Sequence, residues 1–307
     1  MKHSVKDWFM ATRPWALTAS VMPVLVTLAL LFYNNSASGY PLHINWLNGV
    51  LAIIGIMILH SAGNLLSDYY DYKQGVDTAD NDFGAKTLVT KQFQPHEIRN
   101  FGLVLLLCGI ILGLFLTYNS GLHLLWIGAT GILAVLLYSK MKFNYLGDLC
   151  IFTAFGLMPP LGTAYVATGH LFPYYFIIAV PIGFLTLGIL HSNNTRDIER
   201  DSKAGIHTFA MALGLKNSII YYYILVIIPF IWNIVFALLG DLPLMAILVV
   251  LVFPTAYKNL KTMSTAKDNI ENINFLDLSS ARLQMLFGIT FIIGLLIAVF
   301  LLRIPTL

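Results

Sequence analysis

The stretch Asn64-Leu-Leu-Ser-Asp68-Tyr-Tyr-Asp71-Tyr-Lys-Gln-Gly75-Val-Asp-Thr78 closes an apolar run that begins at Trp46 and continues to Leu66. A run of that length reads as a membrane-spanning helix, and the acidic tail reads as its polar end. The pattern recurs as Asn193-Asn-Thr-Arg196-Asp197-Ile-Glu-Arg200-Asp201-Ser-Lys203-Ala-Gly205-Ile-His-Thr208, again where an apolar run stops. Carboxylates are costly at a membrane boundary unless something pairs with them, so two matched clusters imply one shared, highly charged ligand. A magnesium-bound diphosphate has the required charge.

Composition agrees with a membrane reading. Of 307 residues 58% are hydrophobic and 11% charged, with a mean hydropathy of +0.76. Soluble domains carry about 25% charged residues, so this chain lies well outside their range. Spans are predicted at Trp15–Phe32, Trp46–Leu66, Phe101–Tyr118, Leu122–Tyr138, Leu149–Thr168, Phe172–His191, Ile219–Leu239, Leu242–Tyr257 and Leu283–Leu302. The expected fold is therefore an all-α polytopic membrane protein with nine transmembrane helices. The two acidic patterns end helices 2 and 6, which implies two four-helix pseudo-repeats plus one helix.

Basic residues give the orientation. With the N-terminus cytoplasmic, 17 of the 18 Lys and Arg residues fall on the inner side, from Lys2 to Arg282, and Arg303 alone falls outside. The net charge of +3 is then a topology signal and gives no indication of a nucleic-acid partner. The first span reads as a retained helix rather than a cleaved leader. Cys108 and Cys150 both fall in predicted spans, so neither a disulfide framework nor a thiolate metal site is expected. No Pro-, Gly- or Ser-rich linker divides residues 1–307, which read as a single domain.

At 3.6 residues per turn, Asn64, Asp68 and Asp71 share a helix face, as do Asn193, Asp197 and Asp201. Magnesium takes carboxylate oxygens, phosphate oxygens and water, commonly with one or two protein carboxylates per ion. Asp68, Asp71, Asp197 and Asp201 are thus the expected metal ligands. Arg196, Arg200 and Lys203 come at helical spacing and are expected to neutralise phosphate oxygens, with Asn64 and Asn193 beside them; each base reads equally well as a positive-inside anchor. Gly75 and Gly205 are expected to end their helices with a positive φ, and Thr78 and Thr208 to cap the next element. Tyr69, Tyr70, Tyr72 and Tyr138 are candidates to face an allylic cation, though interfacial tyrosines are common. His60 and His191 either line the same cavity or pack, and the role of Arg13 is open.

At these two patterns the chain resembles the UbiA superfamily of intramembrane aromatic prenyltransferases. Arg13-Pro14-Trp15, Leu146-Gly147-Asp148, Gly162-Thr-Ala-Tyr-Val-Ala-Thr-Gly169 and Ala281-Arg-Leu-Gln-Met-Leu-Phe-Gly288 extend the likeness over nearly the whole chain. Within the superfamily they look most like the 1,4-dihydroxy-2-naphthoate polyprenyltransferases of menaquinone biosynthesis. Ser67 stands where the family usually has Asn, and Ile206 where a base is common. Lys142, four residues after Tyr138, matches a Tyr-x3-Lys pattern of the hydroxybenzoate branch. The resemblance implies magnesium-dependent transfer from a polyprenyl diphosphate to an aromatic quinone precursor, in the cytoplasmic (inner) membrane with the site facing the cytoplasm. Asp148 would orient or deprotonate the acceptor, and Lys142 would act on the diphosphate. Other acceptors, 4-hydroxybenzoate or homogentisate, are the nearest alternatives. An ion-coupled secondary transporter is the alternative from another class, because internal repeats with intramembrane acids also mark carriers.

Overall fold

The structure is a computed structural model that describes residues 3–38, 43–73, 75, 87–142, 144–203 and 205–302. Lys2, Thr78, Lys86 and Arg303 lie outside the described residues. Those described are helical, with no strand among them. The helices are α1 (Val5–Ala11), α2 (Thr18–Ala37), α3 (Trp46–Lys73), α4 (Pro95–Ser120), α5 (His123–Lys142), α6 (Gly147–Ile151), α7 (Met158–Thr168), α8 (Phe176–Arg196), α9 (Ile198–Lys203), α10 (Phe209–Leu239), α11 (Phe253–Ser264) and α12 (Leu276–Leu302). A wide π-helical turn, Phe152–Leu157, joins α6 to α7, and a 3-10 segment, Leu244–Val252, precedes α11.

Among the described residues eight helical stretches are long and apolar enough to cross a membrane, and they fall on eight of the nine expected spans. The remaining one, expected at Leu122–Tyr138, is α5, whose apolar part His123–Tyr138 is shorter. Eight of the nine expected transmembrane helices are thereby matched by length and composition among the described residues, and the ninth corresponds to α5. Charge stops α5: Lys140 and Lys142 occupy its last turn. The outward faces suit lipid, as on α4, where Leu103, Val104, Leu107, Ile111, Leu114 and Phe115 are all exposed.

Between helices in lipid, close packing replaces the hydrophobic effect as the main source of cohesion, and small residues permit it. A Cβ on Gly183 of α8 would lie 2.9 Å from the Cα of Gly156, so these two backbones touch. On α12 a Cβ at Gly294 would come 2.3 Å from the Met245 carbonyl oxygen. The main apolar core joins α2, α7, α8, α10, α11 and α12 around Tyr222, Phe287 and Phe291. Helix α8 is the most enclosed of the eight spans, with 67% of its apolar window buried. The second acidic pattern is therefore delivered by the innermost helix.

Candidate active site

Helix α3 stays helical through Lys73, which keeps Asn64, Asp68 and Asp71 on one face as expected. Asp68 is buried and ion-paired with Arg13, which the sequence left without a role. Arg13 reaches it from a left-handed turn (φ 56°, ψ 59°) just ahead of α2, a conformation uncommon outside glycine. Asp71 is also buried; Ser67 Oγ donates to its Oδ2 at 3.4 Å, and Lys142 Nζ lies 3.9 Å from the same oxygen. The Asn64 amide donates to the Thr12 carbonyl at 3.0 Å, tying α3 to the turn that holds Arg13. Its donor is thus engaged by backbone.

The second pattern does not occupy one unbroken helix face. Helix α8 ends at Arg196, Asp197 caps it with φ −95° and ψ 7°, and α9 restarts the chain; an amide bond from Asp201 to the Asp197 carbonyl (2.8 Å) preserves the turn. Arg196 grips Asp197 with two donors, each at 2.9 Å. It also donates to Asp277 Oδ2 (3.2 Å), to the Asn274 carbonyl (3.0 Å) and to Asn193 Oδ1. Arg196 and Asn193, expected on the diphosphate, also brace α8 against the start of α12. Lys203, expected on the diphosphate, is exposed on α9. Arg200 remains at the site, with a nitrogen 2.6 Å from Asp197 and 3.9 Å from Asp201.

The two patterns end alike. Gly75 (φ +72°) and Gly205 (φ +71°) each turn the chain in the left-handed region, and each amide bonds the carbonyl three residues back at 3.1 Å. Thr208 caps α10 as expected, its hydroxyl accepting from the Met211 amide. His207 lies in the connection between α9 and α10, and its carbonyl accepts from the Tyr145 amide at 2.8 Å while the two rings stack at 5.5 Å. That latch pins the α5–α6 loop against the second pattern and so carries Lys142 inward.

Lys142 therefore stands between the two acidic patterns. It lies beside Asp71, and the charge of Asp201 is felt by Lys142, Asp197, Arg200 and Asp71 together. Burial pushes the Asp201 carboxyl up from 3.8 to about 6, against the pull of Lys142 and Arg200. Among the described residues no three acidic, His or Cys side chains form a ready-made metal cage. Magnesium does not require one, since phosphate and water complete its shell. Asp71 Oδ1, buried and without a hydrogen-bond partner, is the kind of oxygen such an ion would take. The donor set is all oxygen, which suits a hard cation.

One layer deeper lie Tyr138, Asp148 and His191. Tyr138 is within electrostatic reach of Lys142, Asp71 and Asp148. Asp148, in the first turn of α6, is buried, and its Oδ2 lies 3.8 Å from Nδ1 of the wholly buried His191. His60 is different: its Nδ1 meets Ser20 Oγ at 2.8 Å, and its ring packs on Phe155 at 4.7 Å. Tyr70 and Tyr72 are exposed, and Tyr69 packs under Arg99, so of the four candidate tyrosines Tyr138 alone faces this interior. Neither the Arg13–Asp68 pair nor the Asp148–His191 approach has a signal in spacing, because each joins segments distant in sequence.

Comparison with known proteins agrees with the fold. The mouse protein named UbiA prenyltransferase domain-containing protein 1 is 31% identical over 304 residues, covering 97% of this chain and 86% of its own length. The fruit-fly homologue is 30% identical over 296 residues, covering 94% and 79%. These names specify a domain and no acceptor, so they do not carry the naphthoate branch of the resemblance. A UbiA homolog from Aeropyrum pernix superposes with a TM-score of 0.68 at 15% identity, covering 91% of this chain and 97% of that one. One from Archaeoglobus fulgidus, bound to GPP and Mg2+, gives 0.62 at 16%, covering 92% and 99%. The family description "UbiA prenyltransferase family" matches residues 20–280, and with the identity to the animal proteins it shows that this chain belongs to that family.

Proposed function

We propose that this prenyltransferase moves a polyprenyl group from a polyprenyl diphosphate to 1,4-dihydroxy-2-naphthoate, releasing diphosphate and carbon dioxide and giving demethylmenaquinol. The observation that carries the reading is Lys142, 3.9 Å from Asp71 and within electrostatic reach of Asp201. A diphosphate is the one common metabolite group that can satisfy two carboxylate clusters through shared cations while also accepting from Lys and Arg. The Archaeoglobus homolog, which binds GPP and Mg2+, supports the same ligand class here.

In this reading Asp68, Asp71, Asp197 and Asp201 would hold magnesium, which when bound would supply charge stabilisation to the departing diphosphate. Lys142 and Arg200 bind phosphate oxygens that the metal does not take, and Arg13 sets the position of Asp68. Tyr138 presents an aromatic face to the allylic carbon as positive charge develops there. Asp148 orients the acceptor beneath it. The whole chain acts as one intramembrane domain, with the motif end at the cytoplasmic side of the inner membrane; the crowding of Lys and Arg at that end supports this orientation. The acids lie at helix ends rather than mid-span, which removes the support for an ion-coupled carrier.

The test is direct. Membranes containing the protein, given radiolabelled geranylgeranyl diphosphate, magnesium and dihydroxynaphthoate, should yield a labelled lipid; no product with that acceptor, or product only with 4-hydroxybenzoate or homogentisate, rejects the choice. A second expectation concerns pH. Asp201 is raised in the fold, so without metal its protonated form is favoured and stability rises as pH falls through about 6 toward 3.8. Magnesium must displace that proton, so the half-saturating magnesium concentration should rise roughly tenfold per unit below pH 6. Titrating magnesium against initial rate at pH 5 and pH 7 checks it, and equal values at both would remove Asp201 from the metal site.

A further inference from the structure

Asp68 is only 2% exposed, deep enough for its charge to need a partner, and Arg13 supplies one by an ion pair to Oδ1. The other three acids of the site are likewise faced by cations of the chain itself. Lys142 Nζ lies 3.9 Å from Asp71, Arg196 holds Asp197 at 2.9 Å, and Arg200 lies 2.6 Å from Asp197 and 3.9 Å from Asp201. A divalent cation that approaches these carboxylates alone meets positive charge already seated there, and like charges a few ångströms apart in a buried site repel strongly. It must also give up part of its water shell, which magnesium does reluctantly.

These cations differ in freedom. Lys142 rides in the last turn of α5 and Arg200 is 38% exposed, so each can exchange a carboxylate for a phosphate oxygen by turning its side chain. Arg13 is delivered to Asp68 by an anchored backbone. In its left-handed turn (φ 56°, ψ 59°) its amide donates to the Met10 carbonyl at 3.1 Å, and its carbonyl accepts from the Ala16 amide at 2.9 Å. The preceding carbonyl, of Thr12, is held by the Asn64 amide of α3 at 3.0 Å. Helix α1 is pinned in turn by Trp8, whose ring packs on Phe93 at 4.6 Å and on Phe101 at 4.9 Å, while Ala11 is buried in one cluster with Leu65. The guanidinium therefore stays at Asp68 while Lys142 and Arg200 change partners.

We propose that Arg13 is a fixed counter-ion that bars magnesium from the first acidic pattern unless a diphosphate enters with it, so that metal and prenyl donor bind as one unit. The inference rests on the prenyl-transfer reading above. Arg13 acts through Asp68 and is a positioning residue. A diphosphate carries enough negative charge to outweigh Arg13, lends phosphate oxygens to the cation's shell and draws Lys142 and Arg200 off the carboxylates. Asp71 and Asp201 then turn their oxygens to the metal. The same balance favours departure of metal and pyrophosphate together, because the acids regain their own cations once the diphosphate leaves.

The test uses the full-length protein in lipid nanodiscs and Mn2+, another hard divalent ion, whose free concentration is read by electron paramagnetic resonance. The wild type should bind Mn2+ weakly alone and roughly a hundredfold more tightly with the unreactive thiolo analogue of geranylgeranyl diphosphate. Arg13→Gln should bind Mn2+ alone roughly tenfold more tightly than the wild type, with a correspondingly smaller gain from the analogue. Arg13→Lys, which restores the charge, should return the weak binding. Equal Mn2+ affinity in the wild type with and without the analogue, or unchanged or weaker binding in Arg13→Gln, overturns the proposal; if Arg13→Gln does not fold, the wild-type comparison decides. If Mn2+ and the analogue bind together as expected but no hydroxy-aromatic is prenylated, the reaction falls and the counter-ion role stands.

Discussion

Asp68→Asn and Asp197→Asn should each lower prenyl transfer by about a thousandfold or more, while the protein still elutes as a folded species in detergent. The change removes one negative charge and almost no volume. In the Asp68→Asn variant the new amide oxygen can still accept from Arg13, so the link between α3 and the first turn persists. Arg196 retains Asp277, Asn193 and the Asn274 carbonyl when Asp197 is neutralised, and Arg200, 38% exposed, can turn to water. The fold therefore loses little, whereas a cation shared with a diphosphate loses a ligand. Scintillation counting of labelled lipid, with a melting curve on the same preparation, checks both halves. Near-wild-type turnover in either variant would exclude that carboxylate from metal binding.

Gly294→Ala should be the most damaging small change in the bundle. A Cβ at this position meets the Met245 carbonyl oxygen at 2.3 Å, and the obstacle is backbone. Met245 sits in the 3-10 segment ahead of α11, which packs directly on α12. Relief requires moving one element off the other, with exposure of core groups such as Val249 and Leu295. A cost of about 3 kcal/mol is expected, at the upper end for overpacked interiors. Gly113→Ala on α4 is the control, since a Cβ there meets nothing within 4 Å. Detergent melting midpoints should drop sharply for the first and stay put for the second; equal midpoints would contradict the close approach.

How far the sequence reached depended on the range of each interaction. The helices were legible because lipid demands long apolar runs, and Gly75 and Gly205 because a left-handed turn is a local property of the backbone. The break at Asp197 was not, since helical spacing alone makes Asn193, Asp197 and Asp201 look continuous; only the C-cap geometry reveals α9 as a separate turn. The bracing role of Arg196 is hidden for a related reason. Its stripe position is compatible with a phosphate, but Asp277 lies 81 residues away and no periodicity announces it. Arg13 reaches Asp68 across 55 residues in the same silent manner. Acidic clusters are visible as composition, while the partners that hold them in place are visible only in three dimensions.

The end of the fifth helix has a further mechanical meaning. Its twenty residues, His123–Lys142, extend about 30 Å, the depth of a hydrocarbon slab. Its charged last turn, Lys140 and Lys142, therefore lies where oil gives way to water. The ammonium that meets Asp71 is thus held at that boundary, so that a released pyrophosphate can leave toward water while the hydrocarbon chain stays in oil.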